Sequence, residues 1–392
     1  MDSSPVWFWR KEIMFLKTYL ELYLSKHCST GMKCLPAAKL PHSKGVGIHD
    51  WHAEILAIRT FNRCLLDECT RSLASGDSSS GIIEHVTGDG SRLPFRVKDG
   101  VKLHMYCSEA PCKLQSGYKF SQVIDVRVGG DASMELTMAD QDDGTPWGDA
   151  GEGKLSLAGE LPGRAYFSQL GIVRRKPARV DAPPTMSKSC SDKLAARQCH
   201  SLLSSLTALF IEPYNAYIDT LVLPASRFSA TACQRSFSAA GRMKVMAGRQ
   251  WEHGFSFRPF RVDTTILEFE YSKAAVESRS AQISASNLAA AWSRSGFEET
   301  ILAGVVQGRK AFDIRGASRM SRRQMWIAAK ELAAQIAKDS QKTGGSQLDM
   351  RCYRDIKALP ALKARQSVKS DVRSETLTGW VRNEGDSDFE IA

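Results

Sequence analysis

The chain has 392 residues, of which 43% are hydrophobic and 24% charged, a globular composition. No run of about eighteen uncharged apolar residues occurs, which excludes an apolar membrane-spanning helix. Lys and Arg outnumber Asp and Glu by 53 to 43, leaving +10, a balance that favours polyanions over cationic substrates and puts nucleic acid first among partners.

In chain order, the apolar opening Val6 to Leu24 is interrupted by Arg10, Lys11, Glu12, Lys17 and Glu21. That spoils a signal peptide and reads as an amphipathic helix, so residues 1–28 form an atypical N-terminal helical segment. Ala53 to Glu68 is predicted helical, with Ile55, Leu56, Ile58, Phe61, Cys64, Leu65 and Leu66 covering one broad face. A polar loop over Ser72 to Gly81 follows. Val101 to Tyr106 reads as a strand, Asp131 to Ala139 as a helix, and the Asp- and Gly-rich Gln141 to Gly153 as a surface insertion. A second long helix is predicted over Ser191 to Leu209 and a strand over Ala216 to Leu223. Basic helices over Ser318 to Ile336 and Cys352 to Val368 flank a Gly- and Ser-containing linker around Ser340 to Ser346.

The ten cysteines include no Cys-x-x-Cys pair, and no Asn-x-Ser/Thr sequon occurs, so a reduced, intracellular protein of cytoplasm or nucleus is expected. Cys34, Cys64, Cys69, Cys107, Cys199, Cys233 and Cys352 read as small buried hydrophobes, and Trp51 and Trp326 as core aromatics. Three other stretches carry chemistry: His52-Ala53-Glu54, Pro111-Cys112, and Ser189-Cys190-Ser191-Asp192-Lys193. Zinc nucleobase deaminases combine His-x-Glu with Pro-Cys because one imidazole and two thiolates hold the metal tetrahedrally and leave a position for water, while the Glu shuttles protons. The position where a second Cys would complete Pro-Cys-x-x-Cys is Gln115, so the third ligand must come from elsewhere. Cys190, just before a helix whose dipole favours a thiolate, is the natural candidate, and Asp192 reads as that helix's cap.

The chain resembles the adenosine deaminases acting on RNA and, among them, the tRNA-specific deaminases of the fungal type. The resemblance rests on Gly31-Met32-Lys33-Cys34, His49 to Glu54, Ser108 to Cys112, Gly130-Asp131-Ala132-Ser133, Lys176-Pro177-Ala178-Arg179 and Ser189 to Lys193, and extends from about Gly31 to about Asn383. It implies an α/β fold, a cytidine-deaminase-like three-layer α/β/α sandwich with a mixed sheet, enlarged by C-terminal helices. The deaminase domain would span 29–385, followed by a tail at 386–392.

By the same resemblance His52, Cys112 and Cys190 would ligate zinc and Glu54 would move protons, with Asp50 and Lys193 behind them. Inositol hexakisphosphate would occupy a basic cavity lined by Arg59, Lys193, Arg322, Tyr353 and Lys357. Ile58 and Ala196 stand where animal relatives place arginines, with Lys363 and Arg365 as candidate replacements. Lys33, Arg174, Arg175, Lys176, Arg179 and Asp181 would meet RNA, and Val180 replaces a usual Gly in that loop. The implied reaction is hydrolytic deamination of adenosine to inosine in tRNA, next to the anticodon on its 3′ side in alanine tRNA. No membrane and no obligate protein partner is implied. The short stretch before Gly31 favours the tRNA branch over mRNA editing. The alternatives are a catalytically impaired RNA-binding relative, or a deaminase of another RNA or of a nucleoside.

One departure stands out. Relatives run Pro-Cys directly into Gly-Asp-Ala-Ser, whereas here the seventeen residues Lys113 to Gly129 intervene, and removing them restores the motif. An in-frame retained intron or a mistaken gene boundary is the expected origin.

Overall fold

The computed structural model describes residues 7–9, 12–16, 27–75, 81–86, 92–111, 172–173, 175–176, 182–280, 283–294, 296–339 and 348–391, with backbone only at 7–9, 12–16 and 283. The strands in chain order are β1 (Trp7–Trp9), β2 (Glu12–Leu16), β3 (His27–Thr30), β4 (Ile83–His85), β5 (Phe95–Val97), β6 (His104–Cys107), β7 (Ile211–Glu212), β8 (Thr220–Pro224), β9 (Arg261–Thr265), β10 (Ile283–Ala285), β11 (Leu288–Ser293), β12 (Phe297–Leu302) and β13 (Val305–Val306). The helices are α1 (Leu40–Ser43), α2 (Ala53–Ser75), α3 (Cys190–His200), α4 (Ala230–Phe237), α5 (Lys273–Glu277), α6 (Arg322–Asp339), α7 (Tyr353–Lys357) and α8 (Lys363–Glu375).

Eight strands form one mixed sheet in the order β13-β12-β11-β3-β2-β6-β8-β9. It is antiparallel as far as β6 and parallel from β6 through β8 to β9. α2 lies against β2, β3 and β11 and also against α6, while α3 packs on α4 and α8. The reason is compositional: α2 buries Ala53, Leu56, Ala57, Ile58, Phe61, Leu65 and Leu66, an apolar surface too wide for one neighbour. Among the described residues no helix is long and apolar enough to cross a membrane.

The amphipathic helix expected over Val6 to Leu24 is corrected. Its described residues are β1 and β2, and β2 pairs with β3 on one side and β6 on the other, at the centre of the sheet. Local pattern lost to tertiary context, because without β2 two strands would each leave a row of backbone groups unpaired. The helix expected through Leu209 stops at His200, where Ser201 takes φ 60°, ψ 175°. Arg197 then donates to the carbonyls of Ser201, Leu202 and Leu203, tying the chain beyond the helix back onto its last turn. The helix expected over Cys352 to Val368 is two helices, since Pro360 cannot donate a backbone hydrogen bond and a 3-10 turn, Pro360–Leu362, separates α7 from α8.

The residues set aside as a tail belong to the body. Phe389 is buried, stacks on Tyr353 at 5.2 Å between centroids, and fills the place where a side chain at Gly45 would stand. Asp386 is 2% exposed and accepts hydrogen bonds from Gly45 N at 2.6 Å, from the His49 ring and from Arg322. The Asp131 helix, the Gln141 insertion, the Lys113 to Gly129 segment and Val180 lie outside the described residues. Cys64, Cys69, Cys107, Cys199 and Cys233 are buried free thiols, whereas Cys34 and Cys352 are half-buried.

Candidate active site

Two helix N-termini converge. His52 precedes α2 and its carbonyl accepts Leu56 N at 2.9 Å, while Glu54, fully buried, sits in the first turn. Gly31 makes this approach possible: a Cβ there would stand 2.0 Å from the Trp51 carbonyl oxygen, and its own carbonyl accepts Ala53 N at 2.9 Å. Cys190 opens α3 and is fully buried. The cap of α3 is Ser189, whose hydroxyl accepts Asp192 N at 3.1 Å, so Asp192 is not the cap expected from the sequence. Its carboxylate instead meets the buried Arg242 guanidinium.

Asp50 joins the two ends. Its Oδ1 accepts His52 N at 2.9 Å and the His52 ring Nδ1 at 2.8 Å. An ionised carboxylate only accepts, so the proton is on Nδ1 and the lone pair on Nε2. Its Oδ2 accepts from Ser187 Oγ and Lys193 Nζ, and Lys193 donates to Ser187 Oγ at 2.7 Å. Lys176 Nζ lies 3.0 Å from Cys190 Sγ and 3.8 Å from Asp50 Oδ2. Burial pushes the Asp50 carboxyl up, but Lys176, Lys193 and His52 outweigh it and hold it well below the usual carboxylate range. Cys34, bridged to Asp50 through the backbone, is pushed up to about 11 by burial and then by Asp50, so it stays a thiol.

The chemistry of this set suits a divalent metal. His52 offers Nε2, with its other nitrogen fixed by a carboxylate, and Cys190 offers sulfur beside an ammonium and a helix N-terminus. No group of three potential metal ligands occurs among the described residues, and Cys112 lies outside them.

Lys176 was expected to reach RNA. It is corrected: buried at 9% exposure, its ammonium faces Cys190 and Asp50. Lys33 is exposed and donates to Asn287, Arg175 is half-buried and bridges to Lys188, and Arg174, Arg179 and Asp181 lie outside the described residues.

Where the resemblance implies a basic cavity, the structure gathers half-buried cations and the buried Arg365, more of them than the sequence indicated. Arg59 is lowered by burial and then Arg322, and Lys357 falls to about 8 for the same two reasons. Tyr353 packs beneath both cations, with Arg322 5.8 Å and Lys357 Nζ 4.8 Å from its ring centroid. Arg197 falls to about 9 through burial and Arg365, and Lys369 lies well below its usual range through burial, Arg365 and Arg197. Arg365 is 5% exposed, so it can serve as one replacement for Ile58 and Ala196, which sit in the core; Lys363 is exposed and cannot. Arg197, Lys369 and His200 were missed. The signal was present: α3 is buried almost throughout, and its two part-exposed cations, Lys193 and Arg197, are four residues apart on one face.

Among the described residues Arg365 Nε has no hydrogen-bond partner. A buried guanidinium donor beside like charges fits a polyanion, since without one it stays a desolvated group left uncompensated.

Comparison with known proteins agrees with this geometry. A model of the adenosine-deaminase (editase) domain matches residues 28–384. The chain is 32% identical over 361 residues to tRNA-specific adenosine deaminase 1 of Schizosaccharomyces pombe, covering 91% of this chain and 82% of that protein. It is 35% identical over 203 residues to the Saccharomyces cerevisiae protein of the same name, covering 50% of this chain and 45% of the relative. With the double-stranded RNA-specific editase Adar of Drosophila melanogaster it shares 26% identity over 199 residues, 50% of this chain and 26% of the editase. A mixed α/β chain matched over almost its whole length by the editase model, with His52, Glu54 and Cys190 at two adjoining helix ends, belongs to the adenosine-deaminase (editase) domain family.

Proposed function

We propose that the chain deaminates adenosine to inosine hydrolytically in tRNA, at the adenosine on the 3′ side of the anticodon of alanine tRNA. The observation that carries the reading is the Asp50 network, which ties His52, Lys176 and through it Cys190 into one buried site. The names of the two yeast relatives support the substrate. The three-layer α/β/α sandwich of cytidine-deaminase type belongs to the same reading, with 29–385 as its domain, extended here to the anchored Asp386 and Phe389.

His52 and Cys190, with Cys112, would hold zinc, which supplies Lewis acidity and makes water a nucleophile at neutral pH. Glu54 would take one proton from the attacking water and deliver it to the purine ring nitrogen next to the attacked carbon, then carry the second proton, from the hydroxyl now on that carbon, to the departing amine. Its burial keeps bulk water from competing for that proton. Asp50 fixes the His52 tautomer and ring direction, and Lys176 holds positive charge against the Cys190 sulfur. Arg59, Lys193, Arg322, Tyr353, Lys357, Arg365 and Lys369 would enclose inositol hexakisphosphate, whose charge offsets theirs and locks α3, α6 and α8 together. Lys33, Arg174, Arg175, Arg179 and Asp181 would approach the RNA.

Residues 113–129 are proposed to be a retained intron or a misplaced gene boundary. The deciding experiment measures inosine in tRNA treated with the full chain and with a version lacking Lys113 to Gly129. Inosine from either establishes the reaction; inosine from the shortened form alone marks the insert as foreign; inosine from neither refutes the reading.

A further inference from the structure

The last turns of α8 and the chain that follows them form an open groove lined by Ser370, Arg373, Ser374, Trp380 and Arg382. Its charged lining is entirely cationic. The carboxylates on α8, Asp371 and Glu375, are both engaged elsewhere: Arg249 pairs with the two of them, and Trp251 Nε1 donates to Asp371 at 2.8 Å. α8 is thus sorted by face, its acids held by Arg249 and its basic face turned to the groove. Among the described residues neither Arg373 nor Arg382 makes an ion pair, and Arg382 is exposed. Burial, and then Arg382, lowers the Arg373 pKa, so the two cations repel with no counter-charge between them.

The groove also has an aromatic floor. The Arg373 guanidinium lies over the half-buried Trp380 ring, 5.5 Å from its centroid, and Lys188 Nζ lies 5.6 Å from the same centroid. A guanidinium fixed on a ring keeps its donors directed and its flat face available, the combination that serves backbone phosphate and an unstacked base together.

Position ties the groove to the site. Thr378, just before it, bridges to Ile172 and accepts Val173 N at 2.9 Å, immediately ahead of the Arg174 to Asp181 segment. Lys188, two residues before Cys190, donates to Asn383 Oδ1 at 3.0 Å, just past Arg382. A ligand in the groove therefore lies beside the segments that flank the reacting centre.

The geometry points to this groove as a docking surface for the substrate RNA outside the deaminated nucleotide, with backbone phosphate held by Arg373 and Arg382 and an unpaired base resting on the outer face of the Arg373 guanidinium that lies over Trp380. The inference rests on the tRNA reading above and adds to it which face of the protein carries the RNA.

The test compares the wild-type chain with Arg382→Glu, Ser374→Glu and, as a control of equal charge change outside the groove, Lys310→Glu, using the form active on tRNA. Arg382→Glu is expected to raise KM for tRNA about tenfold, to leave kcat within about twofold, and to lower the salt-dependence slope of binding by about one. Ser374→Glu should do the same more weakly, and Lys310→Glu should change neither. An unchanged KM and salt slope in Arg382→Glu overturns the inference. Phosphate of inositol hexakisphosphate is the other source of the same chemistry, so phosphorus bound to each purified variant is measured too: a loss of bound phosphorus with KM unmoved places the groove in the polyphosphate cavity and also overturns it. If no form makes inosine in tRNA, the functional reading fails separately, and tRNA binding decides the groove: weaker binding by Arg382→Glu sustains it, unchanged binding sinks it.

Discussion

Lys176 Nζ stands 3.0 Å from the sulfur of Cys190 and 3.8 Å from Asp50 Oδ2, bridging two groups that want positive charge beside them. Removing that ammonium leaves the buried Asp50 with one fewer cation and takes away the positive charge 3.0 Å from the sulfur. Lys176→Met is therefore expected to weaken zinc retention by about ten- to a hundredfold, with Lys176→Arg retaining part of it. Zinc per chain after dialysis against a graded chelator reads this directly. Equal zinc retention in Lys176→Met and wild type would show the contact to be incidental.

Glu54→Gln keeps the size and the helix of a fully buried side chain while removing its capacity to carry a proton. Zinc content and melting temperature should stay at wild-type values, and inosine formation should fall by at least about a hundredfold. Turnover near the wild-type rate would refute the proton-carrying role.

Asp386 offsets Arg322 and receives hydrogen bonds from His49 and Gly45. Asp386→Ala removes the carboxylate that offsets Arg322 and accepts from His49 and Gly45, leaving Arg322 only the backbone carbonyl of residue 386, and should destabilise the fold by about 3 kcal/mol or more. Denaturant unfolding tests it; a midpoint within error of wild type would mean that the Asp386 carboxylate adds nothing to the hold that Phe389 and the backbone contacts of 387–390 already provide.

Acid should destabilise the protein earlier than its carboxylates predict. Burial, and then Arg322, lowers His49 to about 3, while burial, followed by Arg365, Arg197 and Lys369, holds His200 well below 6.5. The unfolded chain binds these protons at higher pH than the folded one, so stability is full above pH 6.5 and falls as pH drops below it. Each histidine contributes up to about 1.4 kcal/mol per pH unit in that window. Melting temperatures from pH 8 to pH 5 should show the decline, and His200→Gln should flatten it. A flat profile in the wild type would contradict the burial of both rings.

What the sequence disclosed, it disclosed through short-range patterns. The His52-Ala53-Glu54 triplet and the apolar face of α2 are local, and both were readable. The Lys176 ammonium was assigned to the wrong partner because the long-range pairing of Arg175 and Lys176 with Lys188 and Ser187, which brings it to Cys190, leaves no mark in the sequence. Arg197 and Lys369 were not singled out, since charge says nothing of burial until α3 and α8 are seen to pack together. Residues 12–16 misled most, because five residues with mixed spacing take their conformation from the strands on either side.

The placement of β2 makes residues 12–16 a keystone for the sheet. Cutting the chain after residue 16 would separate the sheet into a four-strand piece ending at β3 and a three-strand piece beginning at β6, each with a newly bare edge. Such a fragment would be sticky toward its own copies rather than merely less active. A preparation lacking residues 1–16 should accumulate as insoluble material, however intact its zinc and RNA residues are.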